Sequence, residues 1–346
     1  MTFITGKATR LRIGFVPLTD CAPLVVAKET GLFAKFDLNV RLSRELGWGS
    51  IRGKLALGEL DAAHALAALL AGSRTSLAGD RSRCVTGLVL SLNGDGITLS
   101  ERLWSAGARD AVSFRAHLTR QRGNPAVLGV PALFSSHFFL LRKWLADAKI
   151  DIDQDVRVVA LPPQQMSERL KSGHLDGYCV GEPWNSVAIR QGAGWCAATS
   201  GEIFPFHPEK ALVVSEQFAD KQHHTHLRLI AALIEACHYC DQPGNSDSVV
   251  SLLAMPQYIN VPADILKNGF SGSFDYGHGK RKALPDFAVF SRHDANIPSY
   301  DKAAWLARQV ARGGLVSPVE AGRRSAFRSD LFEQAMELVS GCARRV

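Results

Sequence analysis

Short β-rich runs alternate with helical runs along the first two hundred residues, and this alternation constrains the fold more than any other feature. LRIGFVPL (11–18) precedes a helical stretch over Ala22–Phe33, and LNVRLS (38–43) precedes one over Ser50–Leu57; LDAAHAL (60–66) and CVTGLVLSL (84–92) follow. Strands separated by helices of this length build βαβ units and a largely parallel sheet. Such sheets take ligands at the C-terminal ends of their strands, where helix N-termini present free N–H groups.

The rhythm restarts after RQRGNP (120–125), whose Gly and Pro mark a connection. AVLGVP (126–131), VRVVALP (156–162) and LDGYCVG (175–181) read as strands, with helices over Ser135–Asp147, Gln164–Ser172 and Pro183–Gln191 between and after them. KALVVSEQF (210–218) is one more strand, leading into a helix over His226–Cys240. The remainder is mainly helical, with a Gly- and Phe-rich loop at 268–290 and helices near Lys302–Arg312 and Phe327–Val339. A chain of 346 residues has the length of about two domains. The expected division is one lobe from residues 10–118 plus 215–346, carrying the helical tail, and a second lobe, 119–214, inserted in it.

Charge excludes little by itself. Forty Lys and Arg against 33 Asp and Glu give +7, but the basic residues are spread, with short clusters only at Lys280–Lys282 and Arg323–Arg324. Nucleic-acid binders concentrate their charge, so direct nucleic-acid binding is not expected. The longest apolar contender, AAHALAALLAG (62–72), falls short of the roughly 18–20 residues of a membrane span, so no membrane insertion is expected. The lead MTFITGKATR has no apolar signal run, and Cys21 lies beyond the first strand. The expectation is a cytoplasmic protein, periplasmic only if a signal lies upstream.

Seven cysteines at irregular spacing agree with a reducing compartment. CHYC (237–240) lacks the second pair that a zinc site needs and falls inside a helical run. His223, His224 and His226 read as a solvated helix start, and Asp151, Asp153 and Asp155 as turn acids without the Gly and Glu of a calcium loop. No metal site and no cofactor are expected. No nucleotide loop, nucleophile elbow, zinc-protease motif or dinucleotide fingerprint is present. Asn93-Gly94-Asp95-Gly96 holds a G-D-G without the rest of a phosphate loop, and no catalytic residue is assigned.

What remains is a set of polar groups at strand ends: Trp48, His137 at a helix start, the backbone at Gly181, and Lys210. An indole N–H, an imidazole, a main-chain N–H and an ammonium converging on one cleft suit a small oxyanion, which must exchange its water for charge-assisted hydrogen bonds.

LTDCAPLVVAKETGLFAKFDLNV (18–40), LGWGSIRGKLALGELDAAHAL (46–66), LSLNGDGITLS (90–100), LPPQQMSERLKSGHLDGYCVGEPW (161–184), FHPEKALVV (206–214) and FSRHDANIPSYDKAAWLARQVARGGL (290–315) resemble the nitrate- and bicarbonate-binding receptors of the NrtA/CmpA group. The resemblance covers about residues 10–340. It implies a type II periplasmic-binding-protein-like α/β fold, two lobes closing over one ligand, and binding rather than catalysis. It also implies that the anion is held by Trp48, His137, Gly181 and Lys210, with Asp95 where nitrate receptors carry a glutamine. Lys210 favours nitrate or nitrite, because the bicarbonate receptors of the group tend to carry an acid there. Asp95 has no donor for nitrate when ionised. It therefore points away, is protonated or paired with Lys210 or His137, or marks a different ligand.

Among members of the group, a chain without an export segment resembles the cytoplasmic nitrate and nitrite sensors of NasS type. These hold an RNA-binding antiterminator of NasT type and release it when the anion binds. The alternatives are the substrate-binding subunit of a nitrate/nitrite-type ABC transporter and an enzyme on the same fold, as in thiamine-pyrimidine biosynthesis, for which Cys179 would be the candidate nucleophile.

Overall fold

The computed structural model describes residues 9–72, 83–121, 123–312 and 326–343. Arg323–Arg324 and most of the N-terminal lead lie outside them. Among the described residues no helix is long and apolar enough to cross a membrane.

The strands fall in chain order as β1 (Thr9–Phe15), β2 (Leu38–Arg44), β3 (Ala62–Leu66), β4 (Cys84–Val85), β5 (Val89–Asn93), β6 (Asp95–Ser100), β7 (Ala126–Val130), β8 (Val156–Ala160), β9 (Gly177–Gly181), β10 (Gly194–Thr199), β11 (Pro208–Ser215), β12 (Ser273–Gly277), β13 (Lys280–Ala283) and β14 (Ala288–Val289). One sheet runs β14-β5-β11-β3-β1-β2, with β4 beside β11; a second runs β10-β6-β9-β7-β8. In the first, β1 is parallel to β2 and β3, and β11 is antiparallel to β3 and β5. In the second, β7 is parallel to β8 and β9, and β6 is antiparallel to β9 and β10.

The two-lobed α/β architecture expected from the alternation is present, but the chain changes sheets elsewhere. It passes from the first sheet to the second at Gly94, between β5 and β6, and returns between β10 and β11. The boundaries drawn at 118/119 and 214/215 therefore give way. RQRGNP only links a helix (Ala111–Arg120) to β7 within the second lobe. The real crossing is the Asn93-Gly94 pair, whose φ values of 60° and 94° turn the chain between sheets. The expected 268–290 loop contains the β12–β13 hairpin, which carries Lys280–Lys282 into solvent. The helix expected over Ala22–Phe33 is broken after Glu29 at Gly31, which takes φ 80°.

Strands buried on both faces read as continuous small and apolar runs, as in AAHAL of β3 and ALVV of β11. The second lobe has its own core around Ile97, Leu128, Leu141 and Trp195. The larger core extends from the first sheet into Phe139, Tyr178, Val180 and Trp184 of the second lobe. The lobes are thus packed together. Trp184 Nε1 donates to the Pro17 carbonyl at 3.2 Å, and the Thr19 N–H to the Glu182 carbonyl at 2.8 Å. The six described cysteines, Cys237 and Cys240 among them, are buried and free.

Candidate functional site

The ends of β1, β3, β6, β9 and β11 meet at the lobe junction, as the crevice rule for open α/β sheets requires. Three of the residues expected there arrive as separate elements. Trp48 opens the helix Trp48–Leu57 and is buried. His137 lies in the first turn of the helix Ser136–Asp147, whose N-cap Ser135 accepts the Phe138 N–H at 3.2 Å. Lys210 lies near the start of β11, opposite Leu66 of β3.

Lys210 is fully buried, with Nζ 2.7 Å from Asp20 Oδ2, 2.5 Å from Glu209 Oε1 and 5.3 Å from the Trp48 ring. Burial opposes its charge, yet Asp20, Glu209 and Asp95 hold its pKa above the ordinary lysine value. Among the described residues the Trp48 indole N–H has no hydrogen-bond partner. A buried donor left bare costs about 1–3 kcal/mol, so it stands ready for an acceptor.

Asp95 is paired, one of the three outcomes open to it. Its partners are His137 (Nε2 3.1 Å from Oδ1) and His207 (Nε2 3.3 Å from Oδ2), while Lys210 turns to Asp20 and Glu209. Burial works against ionisation of Asp95, but His137 and His207 outweigh it and hold the carboxyl well below the usual carboxylate range. Burial likewise opposes protonation of His207, but Asp95 and Glu209 raise its pKa to about 9. Gly181 stands opposite Asp95 in the β6–β9 ladder, and a Cβ there would lie 3.3 Å from Asp95 Oδ1.

Asp20, His64, Ser136, His207 and Glu209 belong to the same buried cluster and are not among the residues expected from sequence. His64 Nε2 lies 3.0 Å from Asp20 Oδ1, and the Ser136 hydroxyl donates to Glu209 Oε2. His207 and Glu209 stand beside Lys210 in FHPEKALVV. Period-two alternation would put Glu209 and Lys210 on opposite faces. Register shifts at Pro208/Lys210 and Lys210/Ala211 break that alternation and bring both side chains to one point. Cys179, the candidate nucleophile, is buried in β9, and burial with Asp95 and Glu209 nearby raises its pKa well above the thiol value. It is no ready thiolate.

The NMT1-like family model matches residues 5–254. The chain is 39% identical over 309 residues to the nitrate import ATP-binding protein NrtC of Synechocystis sp. (strain ATCC 27184 / PCC 6803 / Kazusa), covering 88% of this chain and 46% of that protein. It is also 39% identical over 310 residues to the bicarbonate transport ATP-binding protein CmpC of Synechococcus elongatus (strain ATCC 33912 / PCC 7942 / FACHB-805), covering 89% and 46%. The chain thus spans about half the length of these curated relatives. The crystal structure of the periplasmic nitrate-binding protein NrtA from Synechocystis PCC 6803 superposes with a TM-score of 0.88 at 26% identity, covering 98% of this chain and 91% of that one. The chain belongs to the NMT1-like family, and its homologues include the NrtA nitrate/nitrite-binding proteins.

Proposed function

We propose that this NMT1-like protein is a receptor for one small oxyanion, nitrate or nitrite, taken between its two lobes, and that it is not an enzyme. The observation that carries the reading is the pairing of a buried ammonium, Lys210, with the unpartnered indole N–H of Trp48. Nitrate offers only acceptors, and here a donor without a partner sits beside a fixed cation. The anion shares the site with Asp20, Asp95 and Glu209, so it needs the positive charge of Lys210 and His207 to offset them. Equal identity to a nitrate and a bicarbonate transport protein leaves the choice of anion to the site, where Lys210 favours nitrate.

The biological role follows in one of two forms. In the first, the protein is a cytoplasmic sensor that holds an RNA-binding antiterminator of NasT type and releases it when nitrate closes the lobes; differential affinity between open and closed states drives the release. In the second, it is the substrate-binding part of a nitrate/nitrite-type ABC transporter, a role to which the transport relatives lend equal support.

Calorimetric titration of the purified protein with nitrate, nitrite and bicarbonate tests the receptor reading. Saturable heat with nitrate or nitrite is expected, and silence with all three overturns it. Capture of an RNA-binding partner that nitrate elutes, together with recovery in the cytoplasmic fraction, separates the sensor from the transport subunit.

A further inference from the structure

The charged groups at the lobe junction close into a ring. His137 Nε2 is 3.1 Å from Asp95 Oδ1 and 3.5 Å from Glu209 Oε1; His207 Nε2 is 3.3 Å from Asp95 Oδ2 and 3.5 Å from Glu209 Oε2. Each imidazole nitrogen faces one oxygen of each carboxylate, and all four side chains are fully buried. Asp95 and His137 come from the second lobe; His207 and Glu209 come from the start of β11 in the first.

The hydrogen bonding around this ring sets what can sit at its centre. His207 Nδ1 lies 2.9 Å from the Phe204 carbonyl, which holds the Nδ1 proton in place whether or not Nε2 is protonated, so loss of the Nε2 proton frees that nitrogen, facing Asp95 and Glu209, as a metal ligand. What lies between that nitrogen and the two carboxylates is a cation in either state: the imidazolium proton, or a metal ion that displaces it. Across the ring, among the described residues His137 makes no hydrogen bond through either nitrogen, and Asp95 Oδ1 accepts none, although they are 3.1 Å apart. The two atoms are close but not aligned on one another. They are placed as atoms converging on a shared third point.

We infer that Asp95, His207 and Glu209, with His137 facing them, form a binding site for one divalent transition-metal ion of zinc type. The ligand atoms of the first three lie within 4.8 Å of one another. Nitrogen and oxygen ligands bonded to zinc at roughly 2.0–2.2 Å in tetrahedral geometry stand about 3.4 Å apart, and each imidazole Nε2 stands 3.1–3.5 Å from one oxygen of each carboxylate, the two imidazoles meeting different oxygens. Imidazole nitrogen selects zinc and its neighbours over calcium or magnesium, which take oxygen donors.

Charge agrees. Asp20, Asp95 and Glu209 carry three negative charges against one on Lys210, and a divalent ion that takes the place of the His207 proton offsets the remaining two. The surrounding contacts are of the kind that orient metal ligands. The Phe204 carbonyl holds His207, while the Ser136 hydroxyl and Lys210 hold Glu209. None of the histidines or cysteines weighed in the sequence as metal ligands takes part. The ligands come from three distant segments, with no spacing motif to reveal them.

The inference concerns the cleft proposed to hold the anion but does not depend on anion binding. Its test uses the full chain, stripped with EDTA and exchanged into nitrate-free buffer, then titrated with cobalt(II). One ion per chain is expected, with visible d–d bands, no thiolate charge-transfer band, and displacement by zinc. His207→Gln and Asp95→Asn each weaken cobalt binding by about 100-fold or more, at the upper end of what disturbed metal sites lose. His226→Gln, at a buried histidine outside the ring, leaves it unchanged. Circular dichroism shows whether each variant folds, and the wild-type spectrum reads the ligand set if one does not. No binding at micromolar cobalt, a thiolate band, or unchanged affinity in a folded His207→Gln protein overturns the site. Nitrate titrated separately into stripped protein reports on the receptor reading alone.

Discussion

His207 Nε2 lies 3.3 Å from Asp95 Oδ2, a contact made between one sheet and the other. It ties a residue just ahead of β11 to the first residue of β6. With the His137–Glu209 contact running the opposite way at 3.5 Å, it ties the two lobes together through the charged cluster.

Asp95→Gln tests the cost of a carboxylate beside an anion. The change removes one negative charge and adds an amide donor. Like charges juxtaposed in a binding site cost several kcal/mol, so nitrate should bind at least about tenfold more tightly in calorimetry. Weaker or equal binding would show that Asp95 does not face the anion.

Trp48→Phe keeps the ring beside Lys210 and deletes the N–H. That N–H has no partner among the described residues, so thermal stability should hold. A hydrogen bond to a charged acceptor is worth about 1.5–3 kcal/mol, so nitrate affinity should fall roughly 10–100-fold. Unchanged affinity would place the anion elsewhere.

Lys210→Met leaves Asp20 and Glu209 buried without their shared ammonium. Removing one partner of a buried ion pair costs about 3–5 kcal/mol, a loss that urea denaturation measures directly. The double variant with Asp20→Asn should lose less than the sum of the two single changes, because the pair is coupled.

Glu182 sets a dependence on pH. Its carboxylate is buried, and burial raises its pKa from 4.5 to about 7. Between these values the folded protein holds a proton that the unfolded chain has released, so this residue's contribution to stability falls as pH rises from about 4.5 to about 7. The loss is on the order of 3 kcal/mol. Glu182→Gln should therefore raise the melting temperature at pH 8 and not at pH 4. An equal gain at both would show that Glu182 is not the titrating group.

Much of the architecture was legible because buried parallel strands and their covering helices leave an apolar rhythm. Trp48, His137 and Lys210 could be placed at the lobe junction because each is a polar donor at the end of such an element. The lobe boundaries were not legible, because β6 enters the second sheet through a two-residue turn while the more conspicuous RQRGNP stays within one lobe. Glu209 was hidden by the irregular register of β11. Asp20, His64 and His207 gain meaning only through partners far along the chain.

The chain crosses between the sheets twice, and each crossing has a left-handed residue next to a member of the cluster. Asn93 and Gly94 precede Asp95, and Phe206, at φ 58°, precedes His207. The crossings and the charged cluster therefore share the same few residues. Rotation at either crossing moves a cluster side chain at once, with no intervening lever arm. Affinity and lobe motion should not separate under mutation here: a change that stiffens Gly94 will retune how tightly the cleft holds its occupant, and a change in the occupant's charge will reset how far the lobes open.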